Sequence, residues 1–252
     1  MSLRVFDALT GGIERTLAKN GLMLVAAFYV LMAIQTLFTP GGVQTGMDPE
    51  PVIDAPAIGA LVAILTSVAS LYLLIVSLRT FVTDETETIP DAALRDRPVW
   101  AFLNVFVGLI VFTVLVTIGF VFLIVPGLFL LVALWFFDVY VAVEDDDFVT
   151  ALKRSWSLTS GNRLGLFGLG VAVVLISVAI SIPFTIAMVV VGGVLGVLIS
   201  QIGTAIGGIF IYATTAVAFT QLRDATTDVS ERAQSDDWGS STDDQWGHSS
   251  DP

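Results

Sequence analysis

From Leu164 to Leu222 the chain runs for 59 residues without a charged side chain. As one α-helix this stretch would extend about 90 Å, roughly three bilayer cores. It must therefore turn, and two long, tilted membrane spans fit its length. Gly192-Gly193 is the strongest breaker, and Pro183 predicts a kink in the fifth span. A short or re-entrant piece between Pro183 and Leu198 is the alternative. Four further apolar runs precede it, so the expected spans are about 21–38, 58–82, 100–125, 127–143, 164–191 and 195–222. The fourth follows Pro126-Gly127, which reads as a tight hairpin turn. Only 13% of residues are charged and 55% are hydrophobic, whereas a soluble domain carries about 25% charge. The predicted class is all-α: a polytopic membrane helix bundle of six transmembrane helices over residues 1–222.

The basic residues constrain how these spans are threaded. Arg4, Arg15 and Lys19 precede span one. Arg79, Arg95 and Arg97 lie at or after the end of span two. Lys153, Arg154 and Arg163 separate spans four and five, and Arg223 and Arg232 follow span six. The connections 39–57, 126–127 and 192–193 carry none. All 11 thus fall on one side, which the positive-inside rule assigns to the cytoplasm. The chain is expected in the cytoplasmic membrane with both termini inside. Between Arg163 and Arg223 it must cross an even number of times. The first apolar run is longer than a signal-peptide core and no A-x-A site follows, so it reads as a span.

Two segments outside the spans have helical apolar spacing. Residues 3–18 place Phe6, Leu9, Ile13 and Leu17 on one face, as an amphipathic helix on the inner surface would. Residues 147–160 form a second such helix. Glu144-Asp145-Asp146-Asp147 supplies acid at its N-terminus, Phe148, Leu152, Ser155-Trp156 and Thr159 follow one face, and Gly161 sits at its end. Residues 88–99 resemble a weaker third copy. Together they suggest three units, each a surface helix followed by a hairpin. Residues 223–252 read as a disordered acidic cytoplasmic tail. Trp238 and Trp246 within it are either a docking motif or parts of a solvating segment.

One stretch is specific enough for a resemblance. Ile124-Val125-Pro126-Gly127 leads into an aromatic span, then Val143-Glu144, then Ala151-Leu152, Ser155-Trp156 and Leu158. This resembles the membrane-domain family fused to some bacterial glycerophosphoryl diester phosphodiesterases and found in related stand-alone membrane proteins. The order of elements extends the likeness over about residues 1–222. The resemblance implies a multi-span membrane module. It implies no phosphodiesterase activity, because in the fused proteins that chemistry belongs to a separate soluble barrel.

Candidate sites are few. The chain has no cysteine and a single histidine, His248, which excludes thiol chemistry, cysteine metal sites and histidine-based dyads. No catalytic residue, metal or cofactor is expected. Asp138 is the one ionisable group well inside a span. It is either a functional carboxylate or part of a polar clamp with Arg79 and Asn104 at similar depth. Lys153, Arg154 and Trp156 form a candidate lipid-interface cluster. Gly192, Gly196, Ser200, Thr204 and Gly208 recur every four residues as a helix-packing stripe, within the bundle or between copies. Gln201 is expected to bond a neighbouring helix.

The net charge is −12 and only two basic residues are lysine. That balance suggests a halophilic host, where surface carboxylate maintains solubility, and it argues against a nucleic-acid partner. The expected function is non-enzymatic: organising membrane lipids or other membrane proteins. A transporter or channel for a small solute is the alternative.

Overall fold

The computed structural model describes residues 3–38, 55–83 and 85–243, with side chains to residue 227. The described residues contain ten helices and no strand: α1 (Val5–Leu17), α2 (Lys19–Phe38), α3 (Pro56–Val82), α4 (Asp91–Arg95), α5 (Pro98–Phe122), α6 (Ile124–Ala133), α7 (Phe137–Glu144), α8 (Phe148–Thr159), α9 (Arg163–Val191) and α10 (Gly193–Asp243). Six segments are long and apolar enough to cross a membrane: Lys19–Phe38, Pro56–Val82, Pro98–Phe122, Ile124–Glu144, Arg163–Val191 and Gly193–Thr227. The chain is an all-α multi-pass membrane bundle. Its surface fits that solvent. Val121, Phe122, Val189 and Val190 are each at least 74% exposed, and such apolar surface would be costly in water.

The bundle is built around α10. Its face Ile209, Phe210, Ala213, Ala216, Val217 and Phe219 is buried, and α9, α1, α2 and α3 pack on it. α1 approaches most closely. A Cβ on Gly12 would collide with Thr214, and one on Gly11 would lie 3.2 Å from Val217. Only a glycine face lets these helices cross at that distance. The outer surface of α1 then presents Phe6, Ile13 and Leu17, all exposed, while Leu9 packs inward against the core.

Both tight turns use one non-helical residue. At the α9–α10 turn, Gly192 and Gly193 take φ of 68° and 58°, a left-handed region that favours glycine. The Gly192 N–H caps Met188 O at 2.8 Å. The re-entrant alternative does not occur, because α9 continues through Pro183 to Val191.

The α5–α6 turn falls earlier than the sequence suggests. Leu123 is the extended residue, and Pro126 and Gly127 lie in the first turn of α6. Proline fits there because the first helical N–H groups have no intrahelical acceptor. Gly127 instead serves packing: a Cβ on Gly119 would lie 2.9 Å from Gly127 Cα.

Two further expectations change. Span four is not one helix, because a turn at 134–136 separates α6 from α7. The tail expected to be disordered from 223 continues α10 as far as Asp243. Extending an existing helix needs no new nucleation, so polar residues can follow a span in helical form. Residues 244–252, including Trp246 and His248, lie outside the described residues.

Candidate functional site

The structure gathers its polar chemistry at one end of the bundle, where the basic residues lie. Arg15 reaches Thr83 O at 3.3 Å and Lys19 pairs with Glu87 at 3.5 Å. Asn20 donates to Glu85 O at 2.7 Å. These contacts tie the α1–α2 corner to the loop after α3. At the same end the α7–α8 connection, Glu144 to Asp147, forms the densest cluster.

All four of its carboxylates are bonded, two of them sharing one arginine. Asp145 Oδ1 lies 3.2 Å from Arg79 Nη2. Glu144 and Asp146 grip opposite nitrogens of Arg154 at 2.5 and 2.7 Å. Asp147 caps α8, accepting from the Val149 N–H, the Thr150 N–H and the Thr150 hydroxyl at 3.0, 3.1 and 2.6 Å. Those bonds, the Thr150 hydroxyl first, hold the Asp147 carboxyl below its ordinary range. Partial burial pulls the Arg154 guanidinium down, but its bonds to Asp146 and Glu144 outweigh this and hold it above its ordinary value. Asp145 takes a left-handed φ of 55°, which turns its side chain from the α8 path toward α3.

Arg79 is the centre of this junction. It is 9% exposed and donates from Nε to Ala142 O, from Nη1 to Asp96 O and from Nη2 to Asp145. The guanidinium thus closes the C-terminal end of α7 and the start of α5 onto α3. On the α5 side, the Trp100 indole donates to Asp145 O at 3.3 Å. Asn104 Oδ1 accepts from the Phe148 N–H at 3.1 Å. A pocket of about 190 Å³ opens beside Arg79, Asp96 and Asp145.

The break in span four is mended by α8. The Ser155 hydroxyl donates to Ala133 O and accepts from the Phe136 N–H, at 3.1 and 3.0 Å. The Thr159 hydroxyl adds a bond to Ala133 O at 3.2 Å. Trp135, inside the break, donates from its indole to Thr215 Oγ1 on α10 at 3.1 Å. Backbone groups freed inside an apolar bundle must find partners, and one buried stripe of α8, Ala151-Ser155-Thr159, supplies them.

The residues singled out by sequence are distributed differently than expected. Asp138, Arg79 and Asn104 do not form one clamp. Arg79 pairs with Asp145 seven residues beyond Asp138, because the guanidinium reaches the loop rather than the span. Asn104 holds the α8 start. Asp138 lies one residue into α7, accepts from the Val139 N–H at 2.9 Å, and sits within electrostatic range of Tyr212.

The Lys153, Arg154 and Trp156 cluster also separates. Lys153 is exposed, but Arg154 turns inward to its two carboxylates and lies 4.3 Å over the Tyr140 ring. Trp156 packs edge-on to Phe129 with centroids 5.3 Å apart, and Arg163 stacks on both rings at 4.5 and 4.7 Å. The buried stripe of α8, Ala151-Ser155-Thr159, thus shares Ser155 and Thr159 with the expected face, while Trp156 is exposed and lies off it.

The small-residue stripe packs within the chain. A Cβ on Gly196 would lie 2.6 Å from Met188 O, and one on Gly208 would lie 3.2 Å from Phe28. Ser200 and Thr204 bond back to carbonyls of their own helix, and Gly192 makes the turn. Gln201 donates to Thr36 on α2, the neighbouring-helix bond expected of it. Asp145, Trp100, Ser155 and Thr159 were not anticipated as partners. The one available signal was hydroxyls at i and i+4 after Ala151.

These features define a class: a helical multi-pass membrane protein whose fourth span is broken and braced by an amphipathic helix. More particularly, the chain belongs to the family described as Domain of unknown function (DUF7847), whose model matches residues 3–222. No curated protein and no solved structure matches it.

Proposed function

We propose that this chain is a non-enzymatic protein of the cytoplasmic membrane that organises lipids or partner membrane proteins. The observation that carries the reading is the commitment of the Glu144–Asp147 carboxylates. Each is bonded to an arginine or a helix start, which makes the cluster a brace rather than a reactive set. On this reading the basic end faces the cytoplasm and both termini lie there. The likeness to stand-alone membrane modules and the acidic, lysine-poor composition accord with a membrane scaffold in a high-salt host.

Native mass spectrometry of the purified full-length protein tests the proposal. A lipid or membrane protein retained in stoichiometric amount supports it. A retained polar solute contradicts it.

One observation favours transport as the second reading. Broken spans line many transport sites, and Asp138 stands two residues after the break at 134–136. Solute flux in proteoliposomes that Asp138→Asn abolishes would establish that reading instead.

A further inference from the structure

Arg154 leaves the expected lipid-interface cluster, and Arg163 takes its place. Arg4, Lys19, Arg79, Arg154 and Arg223 each meet a carboxylate, whereas Lys153 and Arg163 meet none among the described residues. The acidic run nearby is already engaged. Glu144 and Asp146 hold Arg154, Asp145 holds Arg79 and Asp147 caps α8.

Aromatic rings fix where the Arg163 charge lies. Its guanidinium carbon stands 4.5 Å from the Phe129 ring centre and 4.7 Å from that of Trp156. Phe129 and Trp156 are 39% and 43% exposed, and the adjoining Leu164 is 85% exposed. In a multi-pass bundle such apolar surface meets lipid. Arg163 also begins α9, the fifth span, at the basic end, which is the level of the headgroups.

The donors of this cation point outward. A guanidinium carries five N–H groups. Nη2 uses one on Trp156 O at 3.4 Å. Nε is buried and unbonded, whereas Nη1, equally unbonded, reaches the surface. The Nη1–Nη2 edge is thus open to a bidentate acceptor, the pattern in which arginine binds phosphate. Lys153 is exposed and lies three residues before Trp156 on α8, a spacing that makes them neighbours. It brings a second positive charge to the same rings.

Unpaired positive charge and lipid-facing rings therefore meet in one place. A soluble anion matches only the first, and an acyl chain only the second. The phosphodiester of an anionic phospholipid matches both. A partly buried contact of this kind is screened by salt far less than exposed charges are.

We infer that Arg163, Lys153, Trp156 and Phe129 form a binding site for the phosphate of one anionic phospholipid in the leaflet at the basic end. The Nη edge takes the phosphate, Lys153 offsets the headgroup charge, and the rings pack against the first part of the acyl chains. The inference rests on the lipid-organising reading and names the lipid class.

The test uses the full chain, delipidated in neutral detergent and titrated with phosphatidylglycerol or phosphatidylcholine while native mass spectrometry counts bound lipid. Phosphatidylglycerol should fill its first site several-fold more tightly. Arg163→Gln should remove that preference. If that variant loses helicity, Lys153→Gln at an exposed side chain decides: a weakened preference upholds the site and an unchanged one overturns it. Arg95→Gln is the control and should change nothing. Arg95 is exposed and unpaired too, but no ring stacks on it among the described residues. Equal binding of both lipids by the wild type overturns the inference. So does an equal loss from Arg95→Gln and Arg163→Gln, which would reduce the preference to total charge. So does inorganic phosphate that raises the melting temperature as far as phosphatidylglycerol does, because the occupant would then be a soluble anion. A copurifying membrane protein that Arg163→Gln releases, with lipid binding unchanged, would give the surface to a partner instead. Lipid retained without headgroup preference would sink this site and leave lipid organisation standing. A selective first site upholds it even where purification retains no lipid.

Discussion

The two ends of this bundle are held together by different physics. At the basic end, helices are joined by charged and polar side chains that bond backbone groups and one another: Arg79, Arg154, Asp147, Asn104, Ser155 and Asn20. At the opposite end the described turns at Leu123 and Gly192 each use one residue, and contact among the described residues rests on close glycine approach, apolar side chains and the one Gln201–Thr36 bond. Both ends meet water and headgroups, so the asymmetry follows connection length: a one-residue turn has no loop to carry braces, whereas 83–97 and 145–162 do. Polar braces can sit where water and headgroups stabilise their unpaired faces. Deeper in, each irregular residue exposes backbone that lipid cannot bond.

The contrast can be broken most severely at Arg79. Removing it strands Asp145 and the carbonyls of Ala142 and Asp96. Breaking a fully buried pair costs about 3–5 kcal/mol; Asp145 is a third exposed, which lowers the figure, but two backbone carbonyls also lose their donor, so Arg79→Ala should give the largest loss of thermal stability in detergent. Arg79→Lys should recover only part of it, because an ammonium lacks the guanidinium fork. An unchanged Tm for Arg79→Ala would show that the junction does not hold the helices.

Close glycine approach also operates at the basic end, and Gly12→Leu tests it within α1. Overpacking costs typically about 1–3 kcal/mol, and here the added side chain meets the Thr214 position on α10 directly. The expected result is release of α1, read as new protease sensitivity before Lys19. Protection equal to wild type would place α1 elsewhere.

Ser155→Ala removes a hydroxyl that serves both sides of the span-four break. An unsatisfied buried group costs about 1–3 kcal/mol. Thr159 still bonds Ala133 O, so the loss should lie toward the lower figure. The double variant with Thr159→Ala should lose more than the two single losses combined. Strict additivity would mean that the hydroxyls do not share the break.

Asp147 should give the smallest effect, and a pH-dependent one. Its folded carboxyl is held below its ordinary range by the α8 cap. The cap therefore contributes fully above the ordinary carboxylate range and is lost as pH falls through the depressed value. Stability of the wild type should fall in that acid window more than stability of Asp147→Asn. Parallel pH curves would remove the cap as the cause.

Much of the frame was legible because membrane spans announce themselves by length. The expected spans overlap the six long apolar segments to within about five residues at each end, and Gly192-Gly193 identified its turn because two consecutive left-handed residues favour glycine. The break at 134–136 was illegible. Leu134, Trp135 and Phe136 are apolar like their neighbours, and the break depends on Ser155, nineteen residues away. The braces were half legible. The acidic run and the arginines stood out, but hydropathy does not say which carboxylate meets which arginine. Asp138 drew attention through depth, while Asp145 won Arg79 through the turn of a single left-handed residue.

The central claim is that one end of the bundle carries all the basic connections and faces one side of the membrane. Since the chain has no cysteine, single variants Thr88→Cys, Lys153→Cys, Asp224→Cys and Ala55→Cys can each be labelled with a membrane-impermeant maleimide in sealed vesicles of either orientation. The expected result is labelling of the first three from the cytoplasmic side alone and of Ala55→Cys from the other side alone. Labelling of Thr88→Cys, Lys153→Cys and Asp224→Cys from different sides would contradict it.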